Sequence, residues 1–253
     1  MHFIYVSPHL DDAIFSCGGM IWEQVHQGDQ VEIHSIFTSD LRGRKLPEYA
    51  SKLHERWGGE DHPYRLRRAE DQKACDFLGV TWRHMNYLDC IYRYLPGTDE
   101  PLIQVDADLF LPADREGSSL AGEIRADLCR GLAADSILVC PLGVGGHVDH
   151  RVTRLAVEGS EKPVLYYPDF PYAALRGIEV SRLLPPHVKS LHYKISPDAL
   201  QAWQRGIALY PSQMDSFWKQ EKDMVNSLEQ YSRSEFSGLL WKKQVDSQGR
   251  PAV

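Results

Sequence analysis

The chain has 253 residues, with 28 Lys+Arg against 35 Asp+Glu, so its formal net charge is −7; 43% of its residues are hydrophobic and 25% charged. That length suits one large α/β domain, and the acidic balance argues against a nucleic-acid surface, which needs clustered Lys and Arg to meet phosphate. No apolar run approaches the ~20 residues of a membrane helix, and the opening MHFIYVSPHLDD lacks the basic start of a secretory signal, so a cytoplasmic protein without a membrane partner is expected.

HFIYVSP, from residue 2, is a run of β-branched and aromatic residues and predicts a buried strand. Over 12–27, Ile14, Cys17, Gly18, Ile21 and Val25 recur at helical spacing, with Gly28 placed as a C-cap. VEIHSIFT follows as a second strand, which makes a β–α–β unit and implies a parallel pair. Residues 40–63 carry three glycines and two prolines. They predict a long loop with a short helix around Tyr49–Trp57, and loops of that length are usually functional. A helix over 65–78 places Leu66, Glu70, Ala74 and Phe77 on one side and stops at Gly79. VTWRHMNYLD is a third strand, followed by an aromatic excursion through residue 115 and a helix over 117–134 with Ile124, Leu128 and Leu132 at spacing four.

SILVCPL is a fourth buried strand and runs into GVGGHVDH; a helix over 149–159 and a strand at VLYYPDF continue the alternation. From about residue 176 the pattern loosens into an extension: VKSLHYKIS reads as a strand, 197–230 as helical with a break at YPSQ, and 246–253 as a frayed tail. No internal repeat or domain boundary interrupts the chain. The expected fold is a single Rossmann-like α/β domain over 1–253, with a mainly parallel sheet flanked by helices and the active site at the carboxyl ends of the strands. The five cysteines are scattered without a C-x-x-C pair and read as reduced, buried thiols.

Two of those strand ends carry unusual chemistry. The first leads into His9, Asp11 and Asp12; the fourth leads into GGHVDHR, with His147, Asp149 and His150. Taken alone, Asp12 would serve as an N-cap for the helix that begins at Ala13. Placed together at one sheet edge, imidazole and carboxylate from separate segments meet the need of an open catalytic zinc site, which leaves a coordination position for water. Asp11 and Asp12 enter a helix roughly 100° apart and so do different jobs. One can bind the metal while the other faces the water and takes its proton.

SPHLDDAIFSCGG resembles the A/S-H-P-D-D-E motif of the LmbE-like or PIG-L superfamily of zinc-dependent N-deacetylases, and GGHVDHR resembles that family's H-x-D-H motif. RRAED…ACDFLGV and YYPDFPYA are similar to further family segments, so the resemblance covers most of residues 3–175. It implies His9, Asp12 and His150 as ligands of Zn2+, with Fe2+ or another divalent ion able to occupy the same N/O site. It implies Asp11 as general base and proton donor to the amine, His147 as oxyanion stabiliser or acid, and Asp149 as the residue that orients His147. The substrate it implies is an acetamido sugar or N-acetylglucosamine-type conjugate, from which the N-acetyl group is hydrolysed.

Three positions depart from the family pattern. Leu10 stands where the family has Pro, Ala13 where it has Glu, and Gly145 where some members carry a carbonyl-polarising tyrosine, for which Tyr172 is the candidate replacement.

Lesser candidates for substrate contact are Arg67, paired on its helix with Glu70, and Asp40 and Arg42, which follow the second strand at the same sheet edge. Arg44 shares that position, and Trp57, Trp82, Tyr92 and Tyr94 offer aromatic faces for a sugar. GVGG lacks the Lys and the frame of a phosphate loop. A homo-oligomer is left open. So are two other functions: a hydratase or lyase on the same metal scaffold, and a non-catalytic glycan-binding module, against which the intact Asp11 argues.

Overall fold

The computed structural model describes residues 1–57, 63–110, 119–175 and 179–243. Strand β1 (His2–Ser7) is buried along almost its whole length, as its apolar run requires, and lies between two parallel neighbours. Helix α1 (Asp12–His26) crosses over to β2 (Gln30–Ser39), which pairs with β1 from His2↔Gln30 to Ser7↔Ser35. Helices α2 (Glu48–Arg56) and α3 (Pro63–Leu78) lead to the edge strand β3 (Thr81–Leu88). The chain then passes through α4 (Ser119–Cys129) to β4 (Ser136–Pro141), on the other side of β1. Helix α5 (Val148–Glu158) and β5 (Val164–Tyr167) complete the parallel part.

The order β3-β2-β1-β4-β5-β7-β6 places the reversal of winding between β1 and β4. That crevice is where an open parallel sheet presents its ligand site, and it explains why two motifs almost 140 residues apart in the chain can meet. The expected fold class is the observed one: an α/β domain with a seven-stranded, mostly parallel sheet flanked by helices.

The C-terminal part is more integral to the sheet than an appended extension. Strands β6 (Val188–His192) and β7 (Leu239–Lys243) are antiparallel, and β7 lies between β5 and β6. Three helices, α6 (Pro197–Ala208), α7 (Pro211–Phe217) and α8 (Glu221–Ser232), fill the predicted 197–230 helical region. α6 packs on α1 through Trp203, whose indole Nε1 donates to the Ile14 carbonyl at 2.8 Å. The ring needs Gly18 and Gly19 beneath it: a Cβ at Gly18 would lie 2.5 Å from Trp203 Cδ1.

Three local expectations change. The helix predicted over 117–134 ends at Cys129; Ile124 and Leu128 are buried on it, Leu132 lies beyond it, and residues 117–118 are outside the described residues. The tail 246–253 is also outside them. On α3 half of the predicted side is buried: Glu70 and Ala74 face inward, while Leu66 and Phe77 are exposed and Arg67, Asp71 and Leu78 take the remaining inner positions. That helix turns polar groups inward because it borders the site. Asp12 does not cap α1. The N–H of Ala13 is instead satisfied by Ser7 Oγ at 3.0 Å, which leaves the Asp12 carboxylate for other partners.

Candidate active site

The turn after β1 is closed by Asp12, whose Oδ2 accepts from the His9 main-chain N–H at 2.8 Å and lies 3.0 Å from His9 Nδ1. Its other oxygen, Oδ1, lies 3.3 Å from Nε2 of His150, which α5 brings in from the end of β4. One donor atom each from His9, Asp12 and His150 therefore falls within 4.8 Å of the others. Both imidazoles hand their remaining nitrogen to a second carboxylate. His9 Nε2 lies 3.1 Å from Asp149 Oδ2, and His150 Nδ1 lies 2.6 Å from Asp169 Oδ1. Asp169 is itself fixed, its Oδ2 accepting the Gly143 and Val144 N–H groups at 2.9 and 2.8 Å.

This donor set fits a divalent ion. A metal-binding histidine normally directs its other ring nitrogen to a carboxylate or carbonyl, and both do so here. Charge points the same way: Asp11, Asp89, Asp149 and Asp169 are all buried and Asp12 nearly so, with Arg67 and Arg93 as the cations among them. Two other groupings, His9–His147–Asp149 and Asp89–Cys90–Asp149, also bring potential ligands together. They are weaker. The Asp149 carboxylate is already engaged by Arg93 and by the Cys90 N–H at 3.1 Å, and burial pushes the Cys90 thiol up, away from the thiolate a metal needs.

The electrostatics separate the adjacent aspartates. Burial would raise both, but His150 and His9 hold Asp12 well below the usual carboxylate range. Asp11 is raised to about 6 by burial and then by the neighbouring Asp12 charge, against the pull of Arg67. Arg67 Nη2 lies 3.3 Å from Asp11 Oδ1, and its guanidinium lies against the rings of Trp57 and Tyr64, 4.9 and 4.8 Å from their centroids. Despite burial, His9 is held well above its ordinary value by Asp12 and Asp149, and His150 is raised to about 10 by Asp12 and Asp169. Asp149, which burial would raise, is held low by Arg93.

His147 is the N-cap of α5, its Nδ1 accepting the Asp149 main-chain N–H at 3.2 Å. With Nδ1 used as an acceptor, the ring proton must sit on Nε2. Desolvation, then the charge of His9, lowers His147 to about 3, so it is a neutral N–H donor. The part of Asp149 that meets His147 is thus its main chain, while its carboxylate reaches His9.

A cavity of about 170 Å³ opens over these groups, with Asp11, Arg67, His147, Tyr172, Gln213 and Phe217 among its walls. Tyr172 fills the place left by Gly145, where a Cβ would come 3.0 Å from the tyrosine ring. Gly145 also has φ +87°, a left-handed conformation that excludes most side chains. Burial raises the Tyr172 hydroxyl, keeping it a donor.

The predicted substrate contacts Asp40 and Arg42 are not brought to this cavity. Asp40 is taken by Arg68 Nη2 at 2.8 Å, and Arg42 lines a separate cavity with Arg44 and Tyr94. Trp57 reaches the site, Tyr92 is core, and Trp82 stacks on His84 at the exposed edge. Asp89, Asp169 and Gln213 escaped the sequence reading. The signal for the two aspartates was their place directly after β3 and β5, in YLDC and YPDF.

Fold and site together define an α/β protein with a histidine–carboxylate cluster that could hold a divalent ion, and a further buried aspartate beside it, at a strand-end crevice. The chain belongs to the family described as PIG-L: GlcNAc-PI de-N-acetylase, whose model matches residues 4–159. It is 31% identical over 222 residues to 2'-N-acetylparomamine deacetylase of Streptomyces fradiae, covering 84% of this chain and 73% of that protein. The protein of the same name from Niallia circulans is 33% identical over 190 residues, covering 67% of each. Among solved structures, a deacetylase–teicoplanin complex from teicoplanin biosynthesis superposes with a TM-score of 0.79 at 25% identity, over 96% of this chain and 98% of that one. Among the described residues no helix is long and apolar enough to cross a membrane.

Proposed function

We propose that this protein is a metal-dependent deacetylase that hydrolyses the N-acetyl group of an acetamido sugar or a conjugate built on one. The observation that carries this reading is the partly buried His9–Asp12–His150 cluster with Asp11, raised to about 6, beside it. The curated relatives act, by their names, on an N-acetylated aminoglycoside, which supports an amino sugar as the acetyl carrier.

His9, Asp12 and His150 would hold Zn2+ or another divalent ion, which supplies Lewis acidity toward the acetamide carbonyl and toward water. Asp11 takes a proton from water as its oxygen adds to the carbonyl carbon; a carboxylate with a pKa near the working pH suits that transfer. The same proton then passes from Asp11 to the amide nitrogen as the C–N bond breaks, which yields acetate and the free amine. His147 Nε2–H donates to the carbonyl oxygen as negative charge grows on it, and the Tyr172 hydroxyl is placed to assist. Asp149 and Asp169 fix the two ligating rings, and Arg67 keeps Asp11 ionised enough to act as base.

The test is acetate release from 2'-N-acetylparomamine and from simple N-acetylglucosamine derivatives by zinc-loaded protein. Release that disappears in Asp11→Asn supports the reading. No release from any acetamido sugar, with hydration of an alkene in its place, would assign the scaffold to a lyase. Unchanged activity in Asp11→Asn would remove the mechanism.

A further inference from the structure

The matched family region ends at residue 159, yet part of the cavity wall comes from α7, far beyond it. What fixes α7 is a buried carboxylate on α3. Glu70, 3% exposed, accepts both the Ser212 main-chain N–H, at 3.0 Å, and the Ser212 hydroxyl. One turn away on the same face, Arg67 pairs with Asp11. A single helix thus sets both the base and this wall.

The next residue, Gln213, is 4% exposed and borders the cavity. Its side-chain amide lies 2.9 Å from Ser212 Oγ. Ser212 has one hydroxyl proton and gives it to Glu70, so toward Gln213 it can only accept. The amide group facing Ser212 must then be the NH2, and the carbonyl Oε1 is the free arm. Among the described residues Oε1 receives no hydrogen bond, and it is not one of the unpartnered polar atoms sealed from solvent, so it stays accessible. An amide whose NH2 is pinned and whose oxygen stays open at a cavity lined by Asp11, Arg67 and His147 offers a fixed acceptor to a ligand.

We propose that Gln213 is a specificity-determining residue whose Oε1 accepts a hydrogen bond from a sugar hydroxyl of the substrate, held in register by Glu70 and Ser212. The inference deepens the deacetylase reading and rests on it. Oε1 is a neutral acceptor: it can take a hydroxyl proton without adding negative charge to a cavity already lined by Asp11, Asp12 and Asp89. Oxygen-rich sugars offer such donors, and an apolar amide substrate does not.

The experiment compares wild type, Gln213→Met and Ser212→Ala on an N-acetylglucosamine glycoside and its monodeoxy analogues, with acetate release as the readout. Metal content and Tm are measured on each variant. Met keeps the volume and removes the acceptor. The expected result is a loss of about 10-fold in kcat/KM for Gln213→Met on the parent sugar, the size of one neutral hydrogen bond. One deoxy analogue costs wild type the same factor, and on that analogue the variant loses nothing more. Ser212→Ala, which frees the amide to rotate, raises KM with kcat kept.

An equal loss on every analogue overturns the proposal, since a disturbed wall or a contact to the acetamide itself would produce it. So does no loss at all. If wild type releases acetate from none of these sugars, the deacetylase reading falls first and takes this inference with it. Wild-type activity with an unaffected Gln213→Met removes the Gln213 assignment alone.

Discussion

Replacing Arg67 by Met should move the pH profile of the reaction. The guanidinium lies 3.3 Å from Asp11 Oδ1, and both side chains are almost wholly buried. At an effective dielectric near 20, opposite charges about 4 Å apart attract by about 4 kcal/mol, and each pKa unit corresponds to about 1.36 kcal/mol. Removing the cation therefore raises Asp11 from about 6 by at most about three units. Water entering the vacated space screens part of that, so a limb near pH 8 is expected.

The sign follows from the chemistry. Asp11 accepts a proton and must be ionised, so activity is present above its pKa and lost below. At pH 7 the variant should fall about 10- to 100-fold, with recovery as pH rises toward 9. The assay is kcat/KM for acetate release between pH 5 and 9, with Tm as a control because breaking a buried pair costs about 3–5 kcal/mol. A loss independent of pH, or an acid limb left near 6, would refute the idea that Arg67 acts by tuning Asp11.

His9→Ala or His150→Ala should abolish stoichiometric metal by elemental analysis, and retained metal in both would sink the ligand assignment. Asp169→Asn keeps shape but weakens the hold on His150, so metal affinity should drop about 10- to 100-fold in a chelator competition while the fold persists. Gly18→Ala drives a methyl into Trp203, and the strain of overpacking should cost about 1–3 kcal/mol, read as a lowered Tm, with metal binding unchanged.

The juxtaposition of the two motifs was legible because strand ends and chemistry coincided in the sequence. A strand running into His9–Asp12 and another running into His147–His150 can meet if the strands are neighbours, and β1 and β4 are. What stayed hidden has a common cause. Periodicity assigns apolar residues to the inside, so it placed Leu66 and Phe77 inward beside Glu70 and Ala74 and left the Arg67–Glu70 pair open to a surface reading, although their helix buries a polar stripe. Asp89 and Asp169 are single acids after strands, which no local pattern separates from turn residues. Gln213 and β7 lie where helices and antiparallel strands replace the regular alternation, and their positions are set by partners far away in the chain, on α3 and on β5.

The place of β7 has a consequence for how the molecule is made. A ribosome delivers β1 to β5 first, and the β5 edge then presents unpaired main-chain groups of the kind that recruit foreign strands. Its cover, Leu239–Lys243, is translated only after α6, α7 and α8. α7, with the wall it gives the cavity, comes out only shortly before. During synthesis the chain therefore carries His9, Asp12 and His150 through the whole of α6, α7 and α8 before that edge is closed. Release anywhere between β5 and β7 leaves a fragment that carries His9, Asp12 and His150 but an open, sticky β5 edge, so β7 acts as the seal on that edge.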